Sequence, residues 1–172
     1  IMSYAALAAI AVQANQNDQH GGQSIPAFDY YLAPGVLKTF KKHFKQQIYD
    51  LLDYEDMLGF INMDKIAKEK KKLTSITFDI SDFYGYCKDS ETLKKGFAKS
   101  YEKALAKTNR STFQAMEAFV HNLNTMHSRA GAQVPFSSVN FGTDTSSEGR
   151  LVIKNFLLAT EEGLGKGETP IF

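Results

Sequence analysis

The chain opens on a run in which small and apolar residues occupy nearly every direction of a helical wheel, Ala5-Ala6-Leu7-Ala8-Ala9-Ile10-Ala11-Val12. The run predicts a helix over residues 3–15 with little side chain to keep a neighbouring backbone away, so it calls for a helical partner. No basic residue precedes it and it is too short to span a bilayer, so it reads as a buried helix and not as a signal-peptide core. A polar, amide-rich loop over residues 15–24 follows, ending at Ser24, a candidate N-cap with Pro26 in the turn beyond. Phe28 and Leu32 begin the next helical pattern, which Pro34-Gly35 is predicted to kink or restart. Val36, Phe40, Phe44 and Ile48 then recur every fourth residue, with Lys38, Lys41, Lys42 and Lys45 as a solvated face.

From residue 53 to 108 the pattern loosens into short helical pieces, a basic run at 65–72 that reads as exposed helix, and a β-branched and aromatic segment, Ile76-Thr77-Phe78-Asp79-Ile80. Regular spacing returns with a capping-box pattern at Ser111-Thr112-Phe113-Gln114. Phe113, Met116, Val120 and Leu123 continue it toward His127, and Gly131 stands as the stop. Residues 134–142 have strand character. Thr145-Ser146-Ser147-Glu148 offers a second capping box for a helix over 148–162, stopped by Gly163 and Gly165, and the chain closes on an incipient strand at Pro170-Ile171-Phe172. Helix, strand, loop, helix and incipient strand in that order predict a helix-rich α/β fold, a barrel or layered sheet with parallel strands joined by helices. Both ends, which enter and leave regular structure abruptly, read as cut.

Composition adds exclusions. The 20 Lys and Arg nearly balance 19 Asp and Glu, a formal +1, so no global field recruits nucleic acid or an anionic membrane. The lone Cys87 forms no internal disulfide or thiolate cluster and reads as a free structural thiol, which places the chain in a reducing, cytoplasmic setting. His20, His43, His121 and His127 are scattered and read as structural, and no metal-ligand spacing, nucleophile elbow, Walker loop or dinucleotide fingerprint occurs. Gly163 to Gly167 follows a helix, where a phosphate loop would follow a strand, so it reads as a C-cap with a turn.

Two segments concentrate polar groups beside small residues at element boundaries. In the first, Gly21, Gly22, Gln23 and Ser24 precede a predicted helix, where backbone amides and the helix dipole suit an anion. In the second, Ser128, Arg129, Gln133, Ser137, Asn140, Gly142 and Thr143 line a helix end, a strand and the loop beyond its carboxyl end, where α/β folds bind ligands. From these residues alone, nucleotide or phosphate binding stands beside ordinary capping and turn chemistry.

Residues 13–29, with their Gln19-His20-Gly21-Gly22-Gln23-Ser24 centre, and residues 123–145, with Ser128-Arg129-Ala130-Gly131-Ala132-Gln133-Val134-Pro135-Phe136-Ser137-Ser138-Val139-Asn140-Phe141-Gly142-Thr143-Asp144, closely resemble the anaerobic (class III) ribonucleoside-triphosphate reductases. The closing Gly163-Leu164-Gly165-Lys166-Gly167-Glu168-Thr169-Pro170-Ile171-Phe172 fits the same family, and residues 53–108 match it least, as a variable, lysine-rich, insertion-like segment. The resemblance implies a parent enzyme built on a ten-stranded α/β barrel. There a glycyl radical generates a cysteine thiyl radical that abstracts the 3′ hydrogen of a ribonucleoside triphosphate, yielding the deoxyribonucleotide. It further implies formate or a thiol system as reductant, a radical S-adenosylmethionine activating enzyme, zinc in the C-terminal region, and a homodimer tuned by ATP and deoxyribonucleoside triphosphate effectors. The family's two barrel cysteines and its radical glycine lie outside the matched region, and Cys87 takes neither cysteine's place. Residues 1–172 then read as one partial domain of the barrel, without cofactor, catalytic residue or turnover of its own. Residues 3–15 and 113–127 are its candidate dimer-interface helices, and the 141–147 loop is a candidate link between effector and substrate. A free-standing helical nucleotide-binding module is the alternative.

Overall fold

A computed structural model of the chain describes residues 1–19, 21–55, 63–87, 90–126, 134, 136–165 and 168–170. Among the described residues five helices, α1 (Met2–Asp18), α2 (Phe28–Tyr54), α3 (Met63–Lys72), α4 (Glu91–Thr125) and α5 (Ser147–Glu162), accompany two short strands, β1 (Gln23–Ile25) and β2 (Ser137–Val139), and a 3-10 turn at Ile80–Tyr86. They form two compact units, residues 1–36 with 109–172, and residues 37–108. The fold is thus helix-rich with two parallel strands, as the sequence pattern predicts.

In the first unit β1 and β2 pair in parallel, with Gln23 opposite Ser137, Ser24 opposite Ser138 and Ile25 opposite Val139. α1 buries Ala5, Ala9, Val12 and Gln16, a stripe of small and apolar side chains, while Leu7 and Ile10 on its other side stay 65% and 52% exposed. At Gly35 the Tyr4 ring packs against bare backbone, since an added Cβ would lie 2.9 Å from the ring. The terminal amine donates to the Gly35 carbonyl at 3.2 Å. Phe28, Phe119 and Phe156 form the aromatic centre of this unit, with ring centroids 4.8 to 6.2 Å apart. α5 ends at Gly163, whose φ of +75° suits glycine and whose N–H bonds the Ala159 carbonyl. The Leu164 N–H donates to the Glu168 carbonyl at 2.9 Å and the Glu168 N–H to the Gly165 carbonyl at 3.0 Å.

The second unit is held by rings. Phe40, Phe44, Phe78, Phe83 and Tyr101 make successive contacts at centroid separations of 4.8 to 6.4 Å. Phe40 and Phe44 stack and the other contacts are edge-on or tilted, each adding ring attraction to apolar burial. Gly96 lets α4 approach Leu51, since a Cβ there would sit 2.8 Å from a leucine methyl. This unit holds 15 of the chain's 20 cationic and 11 of its 19 acidic residues, giving +4 against −3 for the rest. α3 is an exposed basic helix that buries Ile66 alone, which agrees with the sequence reading.

Two expectations are corrected. α2 runs through Pro34 without a break. Leu32 and Val36 are both buried, so packing on either side outweighs the one helical hydrogen bond that proline forfeits. α4 begins at Glu91, twenty residues before the Ser111 capping box, which lies inside the helix. The helix formers of residues 91–110 and the buried Leu93, Phe97 and Ala104 extend it backward. The β-branched and aromatic segment 76–80 lies outside both strands and runs into the 3-10 turn. Phe78 enters the ring cluster, and the Tyr101 hydroxyl donates to the Ile76 carbonyl at 2.9 Å, so aromatic burial and not a sheet ladder uses these residues. Replacing the fully buried Phe44 with alanine is expected to cost about 3–5 kcal/mol of stability. Tyr54→Ala, at a position 87% exposed, should change little. Urea denaturation of the two variants is the measurement.

Candidate functional site

Parallel pairing joins the two polar segments that the sequence singles out. The Gln23 N–H donates to the Phe136 carbonyl at 2.8 Å, the Asn140 N–H to Ile25 at 2.9 Å, and the Phe28 N–H to Asn140 at 2.8 Å. Across the carboxyl ends of the strands the Asn140 side-chain amide donates to the Ser24 hydroxyl at 3.2 Å. Ser24 and Ser138 stand side by side in the ladder and are exposed, whereas Ser137, on the opposite face, is buried with its hydroxyl unpartnered among the described residues. Gly21 and Gly22 lead into β1, and a Cβ on Gly22 would press on the Phe136 ring at 3.1 Å. Ser128, Arg129 and Gln133, and His20 and His127 with them, lie outside the described residues.

The expected helix start at Ser24 is therefore displaced. Ser24 is a strand residue, and α2 begins at Phe28 after Ala27, which has a φ of +47°. The β2 ladder holds residues 23–25 extended, so the glycines enter a strand and not a helix N-terminus.

Asp29, in the first turn of α2, is the residue that sequence reading missed. Its side chain is fully buried. One carboxylate oxygen accepts the N–H groups of Gly142 and Asp144, each at 2.9 Å, and the other accepts the Thr143 hydroxyl at 3.4 Å. Burial pushes the carboxyl pKa up. The amides of Asp144 and Gly142, helped by those of Tyr30 and Asp29 at the helix start, more than offset it and hold the group below its ordinary value. Gly142, at a φ of +103°, lets the loop turn its amides inward. The available signal was an acidic residue in the first turn of the helix that follows the glycine-serine segment.

The same loop continues into a cap. The Asp144 carboxylate accepts both the Ser146 N–H at 2.8 Å and its hydroxyl at 2.9 Å, and the Ser146 hydroxyl accepts the Gly149 N–H at 3.0 Å. Ser146 and not Thr145 is the N-cap of α5, a shift of one residue from the expected capping box. Gly149 is compulsory at its place, because a Cβ would fall 2.5 Å from an Asp144 carboxylate oxygen.

Beside this patch, a cavity of about 220 Å³ between α1 and β1 is lined by Val12, Asn15, Gln23, Ser24, Ile25 and Pro26 among others, below the ~300–1,000 Å³ of whole-ligand pockets. Elsewhere, Cys87 is buried, its thiol set 3.9 Å from the Phe83 carbonyl and its pKa raised by burial, which suits an inert structural thiol. Burial, with Lys107 and Lys42, lowers the pKa of His43. No group of three or more metal-ligating side chains occurs among the described residues, and no described helix is long and apolar enough to cross a membrane.

The family model for anaerobic ribonucleoside-triphosphate reductase matches residues 1–172. Curated relatives bearing that name include the proteins of Enterobacteria phage T4, 32% identical over 114 residues, and of Haemophilus influenzae, 36% identical over 154 residues. These alignments cover 66% and 89% of this chain and 17% and 15% of the respective relatives. The Escherichia coli protein is 28% identical over 154 residues, again 89% of this chain and 15% of the relative. The chain therefore spans about a sixth of the length of the curated relatives it matches.

The lowered pKa of Asp29 fixes the sign of a pH effect. A carboxylate held below its unfolded value stabilises the fold above that value, and the contribution is lost as pH falls through the folded one. Hydrogen-exchange protection of the Gly142 and Asp144 amides is expected to fall on acidification through that range. An Asp29→Asn variant should lack the pH-dependent step.

Proposed function

Because the chain belongs to the anaerobic ribonucleoside-triphosphate reductase family, we propose that it supplies part of the surface on which a ribonucleoside triphosphate is held for reduction to the deoxyribonucleotide. The observation that carries this reading is the parallel pairing of two family-like segments, with Ser24, Ser138 and Asn140 gathered at adjoining positions of one sheet. The carboxyl end of parallel strands is the usual ligand position in α/β folds. Hydroxyl and carboxamide groups there suit hydrogen bonding to a sugar or base edge, and the small cavity beside β1 suits a portion of such a ligand.

In this proposal the two strands belong to the ten-stranded barrel of the parent. The glycyl and thiyl radicals reside on residues of the parent other than Cys87, whose burial and raised pKa disfavour a reactive role. The reductant, the activating enzyme and zinc act at those other parts. The 141–147 loop links the effector nucleotides to the substrate, and a homodimer forms through the outer face of α1, which presents Leu7 and Ile10. The apolar residues of α4 beyond position 113 serve a different purpose, since Met116, Phe119, Val120 and Leu123 are buried in the chain's own core. The apolar face of that expected interface helix is thus spent internally.

Isothermal titration of ribonucleoside triphosphates into the chain tests the proposal. Ser24→Ala and Asn140→Ala are each expected to weaken binding by about fivefold to tenfold, the worth of roughly one net hydrogen bond. Unaltered affinity in both variants would remove the site. Incubation with the activating enzyme and reductant should give no deoxyribonucleotide, and turnover by the chain alone would overturn the division of labour.

A further inference from the structure

The amides of Gly142 and Asp144 and the hydroxyl of Thr143 converge on one point, the arrangement with which a loop binds an anion. That point is already filled by a buried carboxylate of the chain itself, Asp29. We propose that Asp29 is a positioning residue of the nucleotide site: an internal anion that closes this amide nest against phosphate and fixes the loop so that Asn140 and Ser24 face the ligand. The inference rests on the proposed nucleotide site and adds to it which donors the ligand does not use.

Three observations support it. First, the donors are spent, since both amides lie 2.9 Å from one carboxylate oxygen. A phosphate would have to expel a buried, charge-assisted acceptor to reach them. Secondly, the loop is tied at both ends. The Asn140 backbone bonds Ile25 and Phe28 on one side, and the Asp144, Ser146 and Gly149 chain runs into the start of α5 on the other. Asp29 fastens the span between, where Gly142 has a φ open to few other residues. Thirdly, the side chains left for a ligand at the strand ends, Ser24, Ser138 and Asn140, are neutral. They suit the hydroxyl-bearing part of a nucleotide and leave its phosphates to cations elsewhere.

The test uses the Gly142 and Asp144 amide resonances of the full chain, with acetate, inorganic phosphate and a ribonucleoside triphosphate as separate titrants. In the wild type, acetate and inorganic phosphate should leave both amides unmoved. In Asp29→Ala the nest is vacated. Both amides should lose hydrogen-exchange protection and shift on adding either small anion, and triphosphate affinity should fall by about tenfold, one charge-assisted hydrogen bond's worth. Acetate should restore protection and affinity together, which a merely structural loss would not allow. If the alanine variant does not fold, Asp29→Asn replaces it. Its carbonyl oxygen can stand against both amides, as one carboxylate oxygen does in the wild type, but it is neutral and forfeits the charge-assisted bonds, so protection of Gly142 and Asp144 should drop. Wild-type amides that move with inorganic phosphate, or an asparagine variant with wild-type protection at both positions, would overturn the inference. So would an alanine variant that loses protection yet keeps wild-type triphosphate affinity. A wild-type chain that binds no triphosphate would remove the proposed site, while the response of the Asp29→Ala amides to acetate still decides whether the carboxylate fills the nest.

Discussion

The architecture of the candidate site depends on a parallel ladder only three residues long, formed between segments 114 positions apart. So short a ladder contributes little by itself, and closing a connection of that length is entropically costly. It stands because each strand is followed by a helix with a buried aromatic, Phe28 two residues beyond Pro26 after β1 and Phe156 in α5 beyond the 140–146 loop, and these rings meet in one core with Phe119. Core packing sets the register, and the register sets which serines share a face. Polar chemistry at the strand ends is therefore a consequence of aromatic burial beneath it.

Membership of the reductase family and the local geometry bear on different questions. The family match concerns ancestry across all 172 residues. The geometry concerns which groups are available and which are occupied. Gly142 and Thr143, attractive as phosphate donors in the sequence, are engaged by Asp29, whereas Ser24 keeps its exposure and shares a hydrogen bond with Asn140. Candidate residues of the two segments thus have different roles.

Legibility followed the range of the interactions. α5 was readable to within one residue because its start rests on a hydroxyl three positions from the amide it caps and its stop on a glycine at positive φ. The repeat of Val36, Phe40, Phe44 and Ile48 marked buried positions correctly, since one helix face imposes that spacing whatever covers it. Ser24 was misplaced because local rules favour a cap there, while a partner strand more than a hundred residues away holds it extended. Pro34 and the backward extension of α4 were likewise decided by packing partners that no short window contains. Asp29 escaped notice because a lone acid early in a helix has an ordinary local explanation, and its three loop donors lie at positions 142–144.

A formal charge of +1 describes an electrically bland molecule, yet the charges are sorted: residues 37–108 carry +4 and the remainder −3. The chain is accordingly amphoteric by region. Its isoelectric point says little about how either region meets a resin, a counter-ion or a neighbouring macromolecule. The lysine-rich stretch can interact as a polycation within about a Debye length, ~10 Å at moderate ionic strength, while residues 1–36 with 109–172 present an acidic background to any approaching anion.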